Sequence, residues 1–343
     1  MSEVIMRIKL IAFVVLLLPF QCGSAQDKSS IPDVDRIRIA EAFRLSKVVG
    51  DRIWKGWSRT PFAILLVTPD IEFLIRHPQP SPDFTLLGYD SLLQSNVYFR
   101  KRIYPKMLQA TFPAIQPSPV PTIVIGEAEN TGSKTSTPWV ITLLHEHFHQ
   151  LQNSQPTYYT DVNALNLAHG DQTGSWMLNY DFPYDKKEVQ EQFAALSKLL
   201  AEAVNVHGKA ERSAKLAAYL QARREFQHSL SRDDYRYLSF QFWQEGIARY
   251  TEYRVAKLAI AAYKPSKEYH ALKDFTSFEQ VADSLRESIV EQLQSEQLGT
   301  SKRLAVYPFG AAEGLLLDSV NPSWQSRYFV DKFDPGKYYE NAK

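Results

Sequence analysis

Thr137-Pro138-Trp139-Val140-Ile141-Thr142-Leu143-Leu144-His145-Glu146-His147-Phe148-His149-Gln150 divides the chain in two. From Pro138 onward apolar residues recur at spacings of three and four and β-branched runs disappear, which is the pattern of helices with one buried face. Thr137 as cap and Pro138 at the first helical position predict where the helical half begins. Downstream, Asp185, Ser231 and Ser277 each precede a helical stretch and are read as caps. The first of these helices carries Val189, Phe193, Leu196 and Leu200, and the second Tyr235, Leu238 and Phe242. The third carries Val281, Leu285 and Ile289 and is expected to stop at Gly299. Upstream, Asp33 to Trp57 has helical spacing, and Phe62 to Val67 is a continuous apolar run that suits a buried strand. Glu72 to Ile75, Asn96 to Arg102 and Thr122 to Ile125 are further strands. Pro78, Pro80 and Pro82, then Pro113, Pro117, Pro119 and Pro121, break the chain into extended loops. The fold class expected is α+β in a single domain, 26–343, with an N-terminal helix and small sheet over about 26–136 and a mainly helical half over about 137–343.

The same stretch carries chemistry. On a helix His145 and His149 stand one turn apart on one face, so two imidazoles can share one metal. Glu146 sits one residue along, beside the metal rather than on it, where a carboxylate can take a proton from a metal-bound water. This is the H-E-x-x-H arrangement of zinc hydrolases. A catalytic zinc needs a third protein ligand and an open position. A histidine six residues after His149 with an intervening glycine is excluded, because Gln152 and Gln155 occupy those places. His169, His207, His228 and His270 are isolated in the sequence. Phe242-Trp243-Gln244-Glu245-Gly246-Ile247-Ala248-Arg249-Tyr250-Thr251-Glu252-Tyr253 offers more: its apolar neighbours bury Glu245, and a buried carboxylate requires a cation. Gly246 and Ala248 let another helix approach closely.

His145-Glu146-x-x-His149 followed by Glu245-Gly246-x-Ala248-x-Tyr250-x-Glu252 resembles the gluzincin zinc metallopeptidases, particularly the aminopeptidases related to alanyl aminopeptidase. The resemblance implies a zincin-like fold and one Zn2+ per chain held by His145, His149 and Glu245, with Glu146 as catalytic base and a peptide or protein as substrate. It covers these two helices only. Trp243 stands one residue closer to the glutamate than in those enzymes, and Glu245 lies 96 positions after His149, so a helical segment from about Gln150 to Ser231 reads as an insertion.

Zinc held by two neutral imidazoles and one carboxylate keeps a net positive charge, which lowers the pKa of bound water to about 7 and polarises a substrate carbonyl. For the second oxyanion donor Tyr307 is the first choice, with Tyr250 and His228 behind it. Glu252, two turns beyond Glu245, is placed to orient a ligand histidine. His147, two residues from each ligand, points to another side of the helix. Gly126-Glu127-Ala128-Glu129-Asn130 is similar to the G-x-M-E-N stretch of the same aminopeptidases, whose glutamate binds a substrate's free amine. That likeness implies that Glu129 anchors the substrate's first residue beside an edge strand, the alternative being a solvated turn.

Of the 343 residues, 39 are Lys or Arg and 38 Asp or Glu, a balance that argues against a nucleic-acid or anionic-membrane partner. Arg7 and Lys9, the apolar run Leu10 to Phe20 and Gly23-Ser24-Ala25 read as a secretory signal, 1–25, cut to leave Gln26 first. The run has 11 residues, against the roughly 20 that span a bilayer, so no membrane anchor is expected and the mature chain is periplasmic or extracellular. Cys22, the only cysteine, lies in the signal, which leaves no disulfide. Pro19, Phe20 and Gln21 are unlike the small residues that precede a lipidated cysteine. The function expected is an exported zinc-dependent metallopeptidase. The alternatives are a zinc hydrolase of a non-peptide amide or ester, and a non-catalytic zinc-binding protein.

Overall fold

Ile64–Val67 (β1) and Thr122–Gly126 (β6) are apolar at nearly every position because both faces of each are covered. In the computed structural model, which describes residues 30–340 apart from 172, 207 and 296, these two strands pair in parallel, Ile64 opposite Ile123. Ile71–Ile75 (β2), Thr85–Asp90 (β3), Ser95–Lys101 (β4) and Gln109–Phe112 (β5) complete a six-stranded sheet in the order β3-β4-β2-β1-β6-β5, with every other pairing antiparallel. Ile64, Leu66, Phe73, Ile75, Ile123 and Ile125 face the main core. Leu65, Val67, Leu74 and Val124 face the opposite side and meet Phe84, Ala114 and Ile115, as strand alternation requires. The expected leader, 1–25, lies outside the described residues.

Helices α1 (Asp33–Ile53) and α2 (Ser136–Asn153) pack together in the main core, and α2 also contacts β5 and β6. The helical half continues through α3 (Tyr158–Ala164), α4 (Trp176–Asn179), α5 (Lys187–Asn205), α6 (Lys209–Ser229), α7 (Arg232–Gln241), α8 (Ile247–Ala262), α9 (Lys267–His270), α10 (Phe278–Ser295), α11 (Leu298–Ser301) and α12 (Val306–Val320). The architecture is α+β, with a helix and a sheet first and helices after. No described helix is long and apolar enough to cross a membrane.

Several local expectations are corrected. The first helix stops at Ile53, and Trp54 turns extended. β3 and β5 occupy stretches in which no strand was expected. Asp185 does not cap α5, whose first turn has no side-chain cap, and α10 ends at Ser295, four residues before Gly299. Ser231 and Ser277 do cap, accepting from the amides of Asp234 and Gln280. Thr137 is the second residue of α2 rather than its cap. Its hydroxyl donates to the Thr276 carbonyl, while Asp274 accepts from the Ser136 amide (2.9 Å) and hydroxyl (2.6 Å). The same carboxylate meets the buried Arg38 guanidinium of α1 at 2.9 Å. The start of the histidine-bearing helix is thus fastened to α1 and to the loop after α9.

Candidate metal centre

α2 presents His145 and His149 on one face, and α7 leads to the other half of the site through an irregular turn. Phe242 to Gly246 forms a π-helical turn between α7 and α8, a widening that inserts one residue and re-aims the side chains around it. Tight packing holds the turn. A Cβ on Gly246 would lie 2.5 Å from the Gly310 Cα and 3.0 Å from the Val306 carbonyl, so α12 crosses the turn backbone to backbone. The turn's carbonyls are met by side chains: Gln152 Nε2 donates to the Gln244 carbonyl (3.1 Å) and Tyr328 Oη to the Trp243 carbonyl (2.6 Å).

The result is a convergence of three ligand atoms. The Nε2 atoms of His145 and His149 stand 3.1 Å apart. Glu245 Oε2 lies 3.4 Å from the His149 nitrogen and 3.8 Å from the His145 nitrogen. A single point lies about 2.0 Å from all three atoms, matching zinc bond lengths of about 2.0 to 2.2 Å. Two imidazoles and one carboxylate, largely buried, form a group that could hold a metal ion. Among the described residues no other group of this kind occurs.

The far side of each imidazole is also fixed. His145 Nδ1 lies 2.7 Å from Glu252 Oε1, and His149 Nδ1 lies 2.6 Å from Gln152 Oε1. Because Gln152 Nε2 is committed to backbone carbonyls, its oxygen faces His149 and takes the Nδ1 proton, leaving the Nε2 lone pair for an ion. Arg249 secures Glu252 at 2.6 Å. Burial disfavours charge on His145, yet hydrogen bonds to Glu245 and Glu252 outweigh it and raise its pKa to about 10. Burial likewise pushes Glu245 up, but the facing histidines hold it well below the usual carboxylate range. The cluster favours positive charge at its centre.

Glu146 is buried beside this group without belonging to it. Its Oε2 accepts from the Thr111 hydroxyl of β5 at 2.7 Å. Tyr307, at the start of α12, stacks with the His145 ring at 6.3 Å between centroids. Burial and the negative charge of Glu245 raise its pKa, so the phenol keeps its proton and stays a donor. Arg303 completes this wall, with Nη1 3.3 Å from Tyr307 Oη and 3.7 Å from Glu245 Oε1.

The other expected residues are placed elsewhere. The Tyr250 hydroxyl is spent on Asp318 inside the core, and His228 is exposed on α6. His169 and His270 are exposed and outside the metal group, and His207 lies outside the described residues. His147 faces away, with its ring stacked on Phe62 at 3.8 Å. The edge-strand reading around Glu129 is overturned: β6 is flanked by β1 and β5, so the sheet edge belongs to β5. Glu129 pairs instead with Arg38 at 2.9 Å. Three contributors were not read from the sequence. Gln152 and Arg303 stand at helical spacing from His149 and Tyr307, a signal available in principle, whereas nothing local marks Thr111.

Compared with known protein families, with characterised proteins and with solved structures, the chain finds no match.

Proposed function

We propose that this chain is a zinc-dependent metallopeptidase of the gluzincin type, exported before it acts. The observation that carries the reading is the convergence of His145, His149 and Glu245 on one point, with the Glu146 carboxylate beside them and outside the ligand set. A zinc ion bound there supplies Lewis-acid polarisation of a carbonyl and an acidified water at neutral pH.

The chain's own groups perform the rest. Thr111 holds Glu146 Oε2, which leaves Oε1 to accept the proton of the attacking water and return it to the leaving amine. The protonated phenol of Tyr307 donates to the substrate's carbonyl oxygen as it gains negative charge. Among the described residues β5 pairs only with β6, so its outer edge offers backbone donors and acceptors to an extended substrate, and its Thr111 touches the general base. A path along that edge brings a peptide bond to the centre in a defined direction.

The test is incubation of the purified protein with a mixed peptide library and a matched set of esters. Peptide cleavage that a chelator abolishes and added zinc restores supports the proposal. Ester cleavage without peptide cleavage, or hydrolysis indifferent to chelator, contradicts it.

A further inference from the structure

Arg303 is a loosely held guanidinium, its central carbon 5.6 Å from the centroid of the Tyr307 ring. It lies in the short turn Lys302–Ala305 that leads into α12, with its side chain 21% exposed. Its polar contacts among the described residues are a long hydrogen bond to Tyr307 Oη, 3.3 Å, and a loose approach to Glu245 Oε1, 3.7 Å, both through Nη1. Arg38, by comparison, meets three carboxylates at 2.9 Å and Arg100 meets two at 2.8 Å, although Arg223 Nη2 is buried with no hydrogen-bond partner. Among the described residues Nε and Nη2 of Arg303 have no protein acceptor, and they lie beside the very carboxylate whose other oxygen faces the metal position. The residue before it, Lys302, sits at φ 48° and ψ −127°, a conformation that costs a non-glycine residue energy. The strain falls at the point that aims Arg303 at the centre.

A planar guanidinium with two free donors matches a carboxylate, whose two oxygens accept in parallel. We propose that Arg303 is a specificity-determining residue that binds a carboxylate of the substrate next to the scissile bond, so that the preferred substrates are peptides carrying a terminal carboxylate or an acidic side chain at that place. This rests on the peptidase reading for the bond that is cut, but not for the binding itself. The rival role is purely supportive, with Arg303 steadying the Glu245 oxygen that faces away from the metal. The two differ in what the loss of Arg303 does to neutral ligands.

The experiment uses zinc-loaded Glu146→Gln protein, which holds substrates without turning them over, and calorimetric titration with blocked tripeptides. The peptides come in pairs, free acid against C-terminal amide and Asp against Asn at each position, so that the two sources of carboxylate are read separately. The proposal expects one carboxylate form to bind about tenfold or more tightly than its neutral partner. Adding Arg303→Gln should erase that preference, with zinc content and neutral-peptide affinity unchanged, and Arg303→Lys should retain part of it. Equal binding of acid and neutral forms to Glu146→Gln, or equal weakening of both by Arg303→Gln, overturns the proposal. Failure of the peptidase reading is seen separately, as absence of cleavage by the parent protein of peptides that bind.

Discussion

At the residue scale, the ligand histidines depend on the groups behind them. Glu252 and Gln152 each hold an Nδ1 proton and so aim a lone pair inward, and removing such a partner typically costs 10- to 100-fold in metal affinity. Competition with a chromogenic chelator should therefore show Glu252→Ala and Gln152→Ala weakened by about that factor. Unchanged affinity in both would mean that the histidines are oriented by packing alone. His147 makes a different prediction. Burial drives its pKa down to about 3, against 6.5 when exposed, so below pH 6.5 the unfolded chain binds a proton that the folded chain refuses. Stability is then lost as pH falls from about 6.5 towards 3, by about 1.4 kcal/mol per pH unit for this one group. Urea titrations of the metal-free protein across that range should show a shallower pH slope for His147→Leu than for the parent, and identical slopes would place the acid sensitivity elsewhere.

At the element scale, the site depends on α12 crossing the π turn. A methyl group on Gly246 would meet the Gly310 Cα at 2.5 Å, backbone against backbone, with no flexible side chain to yield. Gly246→Ala should lose about 1 to 3 kcal/mol by overpacking and, because Glu245 is the adjacent residue, should also lower zinc occupancy; denaturation and metal analysis of one preparation check both. The same turn shows what was legible beforehand. The apolar neighbours of Glu245 and the small residue at Gly246 pointed to a buried carboxylate and a close helix crossing; the crossing is present, and the Glu245 side chain is partly buried, 17% exposed. The π widening was not legible, since it arises from contacts with Gln152, Tyr328 and Gly310, all distant in sequence. β1, β2, β4 and β6 were readable because packing on both faces or alternation leaves an apolar pattern. β3 was missed because Leu86, Leu87 and Tyr89 are exposed and follow no alternation, and β5 because four half-buried residues between prolines carry no period. The edge-strand expectation before Glu129 failed for a related reason: β6 gains a neighbour from β5, which no local reading supplies.

At the scale of the whole molecule, the three ligands come from two segments 96 residues apart, and a bound ion would tie α2 to the π turn. An ion that binds the folded chain and not the unfolded one stabilises it by about 2.7 kcal/mol at a hundredfold excess over its dissociation constant. Thermal unfolding should therefore shift upward with zinc and downward with chelator, and the shift should vanish in His149→Ala. A zinc-induced shift that survives in that variant would place the ion elsewhere. In the proposed function, holding the metal and moving the proton belong to different residues. The measurement that tests it most directly is the zinc content and peptide hydrolysis rate of Glu146→Gln beside the parent. Equal zinc, near one per chain, is expected, with hydrolysis lower by about 100-fold or more. Parent-like hydrolysis in that variant, or loss of its zinc, would contradict it.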